Sequence, residues 1–117
     1  MSRRYKHGMN WIRQAKRLAI YMRDSFACVY CGTGIEDDGI RLSLDHVRHW
    51  GGNAASNLVT SCMDCNSRKS CWSLKSFLRK LDHPERVLKR VERALATPIA
   101  ELLVEARAIR KKRNEPF

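Results

Sequence analysis

The feature that most constrains this chain is a pair of Cys-x-x-Cys motifs, Cys28/Cys31 and Cys62/Cys65, with thirty residues between them. Zinc accepts four thiolates tetrahedrally, and two such knuckles can supply them without strain. A site closed by four sulfurs has no open position, so the predicted zinc is structural. A chain of 117 residues builds only a modest core, which a structural metal would reinforce. The alternative is four unrelated buried cysteines.

The cysteine count also bears on the compartment. A scheme in which all cysteines form disulfides would leave one of the five unpaired, and Cys71 is the one outside the two motifs. In a reducing compartment, Cys-x-x-Cys pairs are typical of metal sites. The N-terminus has no apolar signal core, and no apolar run is long enough to span a bilayer. We therefore expect a cytoplasmic protein with no membrane partner.

Charge is spread unevenly along the chain, whose formal net charge is +11. Residues 1–25 carry seven Lys and Arg against one acid, and residues 66–117 carry fourteen against six. Residues 26–65 carry two against five. Basic flanks suit DNA or RNA, and an acidic centre suits a site that holds a cation. The alternative is a set of solvated basic helices with no nucleic-acid partner.

Hydrophobic periodicity predicts a strand, loop, strand and helix in the middle of the chain, with helices on both sides. Residues 1–9 are basic and lack periodicity, which indicates a loose arm. The predicted elements are a helix over 10–23, an extended segment over 26–34, strands over 40–44 and 57–60, a helix from Met63 or Asp64, and tail helices over 73–81, 82–95 and 97–113.

Several stretches in this order resemble the HNH endonuclease family, in its subgroup with four zinc-binding cysteines. They are CVYCG, LSLDHV, GGN and SNLVTSCMDCNSRK. The resemblance spans about residues 20–70, nearly half of the chain, and implies a ββα-metal core. Small stand-alone members of this family occur in bacteria, phages and mobile elements, which implies a bacterial or phage-infected cell.

By position, the resemblance implies roles for five residues. His46 would be the general base that activates a water molecule to attack phosphorus. Asp45 and Asn66 would be ligands of a catalytic divalent cation. Asn57 would orient the loop and the base through hydrogen bonds, and Lys69 would lie near the phosphate.

The chemistry of these residue types agrees with the implied reaction. Phosphodiester hydrolysis needs a deprotonated nucleophile and neutralisation of charge on the phosphate. An imidazole is largely neutral at physiological pH and can accept a proton. One carboxylate and one amide oxygen leave most of a coordination sphere to water and substrate, which suits Mg²⁺ or Mn²⁺. Consecutive strand residues face opposite sides, so a bend is expected between Asp45 and His46 if both act on one phosphate.

Simpler interpretations exist for some of these residues. Asn57 could be only a turn residue, and Asn66 only an amide cap at a helix start. Trp50 could either pack in the core or stack on a base, and His49 could be an exposed loop residue without a role.

We therefore predict one α+β domain over 1–117, with a basic arm and helix over 1–25, a zinc-stapled core over 26–72 and a helical tail over 73–117. Its predicted activity is metal-dependent hydrolysis of nucleic acid, chiefly DNA. The cations predicted to contact phosphates are Arg13, Lys16, Arg17, Arg48, Arg68 and Lys69. The alternatives are a non-catalytic zinc-containing binding module, or an accessory subunit of a larger nuclease or packaging machine. The apolar stripes of the tail permit a homodimer or a larger complex.

Overall fold

The structure is a computed structural model that describes residues 13–37 and 39–114. Five helices and two strands follow one another along the chain. They are α1 (Gln14–Arg23), β1 (Leu42–His46), β2 (Leu58–Cys62), α2 (Met63–Lys69), α3 (Leu74–Leu78), α4 (Pro84–Ala96) and α5 (Ala100–Asn114), with a 3₁₀ turn at Ala55–Asn57 before β2.

The centre of the fold is an antiparallel hairpin followed at once by a helix. β1 and β2 pair in a continuous register from Leu42 opposite Cys62 to His46 opposite Leu58. α2 begins at the residue that follows β2, and the Sγ of Cys62 accepts a hydrogen bond from the Cys65 amide at its first turn. The fold is therefore α+β, built around a ββα unit.

Both faces of the hairpin are covered, which explains why all five residues of β2 are buried. On one face, Leu44 and Leu58 pack with residues of α1 and α5 such as Ile20 and Ala106. On the other face, Val59 packs with the first cysteine knuckle, α3 and α4. The hairpin thus lies between two hydrophobic clusters.

A buried ion pair anchors the end of α1 to the hairpin. The Arg23 guanidinium and the Asp24 carboxylate lie 2.8 Å apart, with side chains only 1% exposed. Asp24 accepts a hydrogen bond from the Thr60 amide, and Arg23 donates to the Leu58 carbonyl. These contacts fix the position of α1 relative to β2.

The element boundaries differ modestly from those predicted. β1 begins at Leu42 and includes the Asp-His pair, and β2 extends to Cys62. The segment 26–34 forms a single β-bridge between Ala27 and Gly34 instead of a strand. The predicted start of α1 at Asn10 lies outside the described residues.

The tail helices are shorter than predicted where turns or Pro residues intervene. α3 ends at Leu78, although Ser73 caps it as expected by accepting a hydrogen bond from the Ser76 amide. α5 begins at Ala100 because the residue before Pro98 is held in extended backbone. Among the described residues, no helix is both long enough and apolar enough to cross a membrane.

Candidate active site and zinc centre

The four cysteines of the two knuckles come together as predicted. The sulfur atoms of Cys28, Cys31, Cys62 and Cys65 all lie within 4.8 Å of one another. Within each knuckle, the amide of the second cysteine donates a hydrogen bond to the sulfur of the first, at 3.4 Å in both cases. Four converging sulfurs with these amide contacts fit a tetrahedral zinc ion. The cluster joins the segment before β1 to the start of α2.

The cysteine cluster holds a negative charge even without metal. The hydrogen bond from the Cys65 thiol is the main cause that lowers the pKa of Cys28, to about 4. The same bond, with burial and the neighbouring charge, raises the pKa of Cys65 well above the usual thiol range. Burial also raises the pKa of Cys62. The cluster therefore has one preformed thiolate and is electrostatically prepared for a cation.

His46 lies at the last position of β1, where the hairpin meets the loop that connects its strands. Its Nε2 lies 2.7 Å from the Oδ1 of Asn53 in that loop. Because an amide oxygen can only accept, this contact assigns the proton to Nε2 and the lone pair to Nδ1. The imidazole is thus oriented by its neighbour in the loop.

Asp45 lies in a buried polar cluster. Its Oδ2 accepts a hydrogen bond from the Tyr30 hydroxyl at 2.5 Å and forms an ion pair with the Lys69 ammonium at 3.1 Å. The Asp45 residue is 5% exposed. Burial, followed by the Asp45 charge, raises the pKa of Tyr30 above its ordinary value, so the phenol remains a hydrogen-bond donor.

The position of Lys69 differs from the predicted one. Its side chain is 1% exposed, and its Nζ donates to the backbone carbonyl of His46 at 3.0 Å as well as contacting Asp45. α2 carries Lys69 toward the hairpin, so the ammonium is buried and does not present itself to a phosphate. Lys69 thus fixes Asp45 and His46 from the buried side, through the Asp45 carboxylate and the His46 carbonyl.

Asn66 lies along the same helix–strand contact. Its Nδ2 donates to the Oγ of Ser43 at 2.8 Å, and Ser43 is two residues before Asp45 on β1. The Oδ1 atoms of Asp45 and Asn66 have no hydrogen bond to other described residues. One carboxylate oxygen and one amide oxygen on the same side of β1 are donors that fit a hard divalent cation. The Lys69 ammonium is a competing positive charge beside them.

The expected bend between Asp45 and His46 is not present in the strand. The register continues through both residues, with Asp45 opposite Val59 and His46 opposite Leu58. The two side chains therefore leave opposite faces of the hairpin. A phosphate could engage both residues only at the end of the hairpin, where β1 meets the loop.

Asn57 organises the loop between the strands. It is 1% exposed, and its Oδ1 accepts from the Arg48 amide at 2.8 Å. Its Nδ2 donates to the carbonyls of Arg48 and Gly52 at 3.0 and 2.9 Å. A Cβ at Gly51 would lie 2.7 Å from that Nδ2, so the loop packs directly on the amide. Asn57 lies where a loop-orienting residue is predicted to lie.

The predicted phosphate-binding cations occupy different environments. Arg13 and Arg48 are exposed, and Arg68 is exposed beside Asp64, 3.5 Å away. Lys16 is half-buried and donates to the backbone carbonyl of Asn53 at 2.5 Å. Arg17 is half-buried and donates to the Tyr21 hydroxyl at 3.3 Å.

The model of the family described as HNH endonuclease matches residues 28–71. This segment is similar to the HNH endonuclease family. The match contains both cysteine knuckles, β1, the loop, β2 and α2, which together make up the ββα unit and its predicted zinc site. No curated protein and no solved structure matches the chain.

Two residues of the HNH site were not assigned a role from the sequence. Asn53 belongs to the GGN stretch, and a polar residue in a loop gives no local signal that it orients a histidine seven residues earlier. Tyr30 lies inside the first knuckle, where its ring packs edge-on against Phe77 at 5.2 Å. Its hydroxyl contact with Asp45 depends on the tertiary fold.

Proposed function

We propose that the protein is an endonuclease that hydrolyses phosphodiester bonds of DNA, with His46 as general base. The observation that carries this proposal is the placement of His46 at the end of β1 in a segment that matches the HNH endonuclease family. The Asn53 contact orients the imidazole ring through Nε2. Water attacking phosphorus would transfer its proton to the imidazole of His46.

The remaining residues of the site would position this base. Lys69 binds the His46 carbonyl from the buried side, and Asn53 fixes the ring. Asn57 holds the loop that carries Asn53 through its contacts with Arg48 and Gly52. Such preorganisation is the main contribution that a small scaffold makes to catalysis.

We further propose that Asp45 and Asn66 hold a catalytic Mg²⁺ or Mn²⁺. When bound, this cation would supply positive charge to the phosphate and leaving group. Asp45 would bind the cation through one carboxylate oxygen while the other remains bonded to Tyr30 and Lys69. The zinc of the four cysteines would be structural, and cytoplasmic localisation is part of the same proposal.

The test is cleavage of supercoiled plasmid by zinc-loaded wild type, His46→Ala and His83→Ala, with and without added Mg²⁺. His83 precedes α4 and its side chain makes no capping bond, so it is a matched control. We expect nicked or linear product from the wild type and His83→Ala only, and only with Mg²⁺. If no variant cuts but all bind DNA equally, the protein is a zinc-containing binding module.

A further inference from the structure

A cleft of about 470 Å³ lies between the start of α1 and α5. Seven residues line it, and four of them are cations while none is acidic. The lining residues are Arg13, Gln14, Ala15, Lys16, Leu103, Arg107 and Arg110. α5 thus adds two arginines to the cations that the sequence assigned to nucleic acid.

The cleft is connected to the proposed active site by two direct contacts. Lys16 lines the cleft, and its Nζ donates to the backbone carbonyl of Asn53. The side chain of Asn53 in turn contacts the Nε2 of His46. His46 also lies opposite Leu58, on the hairpin face that α1 and α5 cover. The cleft and the imidazole therefore share one side of the molecule.

The walls of the cleft are held in place. α1 and α5 pack through buried Ala19, Ile20 and Ala106, and Arg110 donates to the side-chain oxygen of Gln14 across the cleft. Bringing four like charges together raises the free energy of the folded chain unless an anion neutralises them. A row of cations on a fixed groove is typical of a phosphate-backbone site.

We propose that this α1–α5 cleft binds the phosphate backbone of the nucleic acid whose scissile bond lies at His46. The proposal deepens the proposed nuclease function and rests on it for the identity of the substrate. The shared chemistry is a phosphodiester chain, which DNA and RNA both provide. Lys16 would contact the phosphate nearest the Asn53 loop, and Arg107 and Arg110 phosphates further along the chain.

The test measures binding of a labelled 20-base-pair duplex by zinc-loaded His46→Ala protein at several salt concentrations, without added divalent cation. Each lost phosphate contact should reduce the slope of log K against log salt by about 0.9. We expect the slope to fall by about two for Arg107→Gln/Arg110→Gln, with a roughly tenfold weaker Kd near 0.15 M salt. The control is Lys75→Gln/Lys89→Gln, which removes the same charge from exposed positions outside the cleft.

Because Arg110 contacts Gln14, a single Arg107→Gln variant guards against a folding defect, and it should lower the slope by about one. Equal slopes for the Arg107→Gln, cleft and control variants would overturn the proposal even if the wild type cuts DNA. A reduced slope without any cleavage by the wild type would keep the cleft as a binding site and reject the nuclease function. Duplex RNA as a second probe distinguishes the two sources of the backbone.

A separate observation concerns Trp50, whose residue surface is 90% exposed. The loop backbone on both sides of Trp50 is held in place, because the Asn57 side chain hydrogen-bonds to the backbone of Arg48 and Gly52. The His49 ring supports the indole edge-on at 4.5 Å. Trp72, by comparison, is 40% exposed and is covered by the Lys80 ammonium. The structure therefore excludes a core-packing role for Trp50.

We infer that Trp50 stacks on a nucleobase of the bound substrate. An indole held outward on the loop next to the general base offers a π-face that any base can use. In the His46→Ala background, Trp50→Ala should weaken DNA binding by about fivefold to a hundredfold. With the third tryptophan removed by Trp11→Phe, DNA should quench tryptophan emission in the parent and in Trp72→Phe but not in Trp50→Phe. Unchanged quenching and Kd in the Trp50 variants would overturn this inference.

Discussion

At the scale of single residues, the arrangement of Lys69, Asp45 and Tyr30 explains how a charged pair is tolerated inside so small a protein. The Lys69 ammonium has two partners, the Asp45 carboxylate and the His46 carbonyl. The Asp45 oxygen also accepts from the Tyr30 hydroxyl. A buried ion pair is tolerated when such hydrogen bonds complete it, and removing one partner leaves an uncompensated charge.

Lys69→Met should therefore destabilise the protein by about 3–5 kcal/mol, because it leaves the Asp45 carboxylate buried without its cation. The double variant Lys69→Met/Asp45→Asn should recover most of this loss, since an amide can still accept from Tyr30. Urea denaturation measures both, with the exposed Lys75→Met as the control. Similar stabilities for Lys69→Met and Lys75→Met would show that the buried pair does not form.

Asn57→Ala should lower the free energy of unfolding by about 1–3 kcal/mol, because it leaves the Arg48 amide and two carbonyls of the loop without partners. Asn57→Asp should lie between the wild type and Asn57→Ala, since a carboxylate accepts from Arg48 but cannot donate to the carbonyls. Urea denaturation and plasmid cleavage should rank the three proteins in the same order. Full stability in Asn57→Ala would refute this account of the loop.

Some contacts of single residues could be predicted from the sequence, and others depend on how the elements pack. The cysteine knuckles were predicted because their spacing alone restricts the ligand geometry, and the structure brings the sulfurs together. Lys69 was placed near the phosphate because its motif position does not reveal which way α2 packs on β1. The missing bend at Asp45 and His46 reflects the same difficulty, since strand pairing was decided by Val59 and Leu58 opposite them.

At the scale of elements, the cysteine knuckles join the segment before β1 to the start of α2. Metal binding should release protons from Cys62 and Cys65, since their pKa values are raised above the ordinary thiol value of 9.0 before metal binds. Cys28, with its pKa lowered to about 4, is already a thiolate at pH 7 and should release none.

Zinc affinity should accordingly fall as the pH falls, because protons compete for the bound thiolates. Stability supplied by zinc is thus present at neutral pH and lost on acidification. Calorimetric zinc titrations at pH 7 in two buffers of different ionisation enthalpy measure the protons released. Zinc binding without proton release would contradict the assigned directions, and Cys71→Ser is the control that leaves the knuckles intact.

The elements themselves were largely predictable from periodicity. The strand, loop, strand and helix order follows from alternating apolar residues before Asp45 and from the polar loop, and the structure confirms it. The end of α3 and the start of α5 were less accurate, because turns after Leu78 and the extended backbone at Thr97 decide them locally. The buried Arg23–Asp24 pair was not predictable, since its partners in β2 lie more than thirty residues away.

At the scale of the whole molecule, the hairpin lies between two hydrophobic clusters, and the tail contributes to both. α4 places Val87 and Val91 in the cluster that contains the cysteine knuckles, whereas Ile99, just before α5, and Ala106 within α5 pack with α1. The tail therefore covers the hairpin faces instead of leaving its whole apolar stripe available to a partner. Val104 and Ile109 are the large apolar residues of α5 that stay exposed.

Ala106→Leu should destabilise the protein by about 1–3 kcal/mol, because Ala106 is completely buried against α1 and has no room for a larger side chain. Ala108→Leu, two residues along the same helix but exposed, should change stability by less than about 0.5 kcal/mol. Urea midpoints of the two variants provide the measurement. Equal effects would mean that α5 does not pack on α1 as described.

The proposed mechanism requires that the hairpin present His46 as the base that activates water. The most direct measurement is the rate of DNA cleavage by zinc-loaded His46→Gly as imidazole is added. We predict no cleavage without imidazole and a rate that rises with its concentration, because a diffusible base can occupy the space left by the side chain. Cleavage by folded His46→Gly at the wild-type rate, without imidazole, would show that His46 is not the general base.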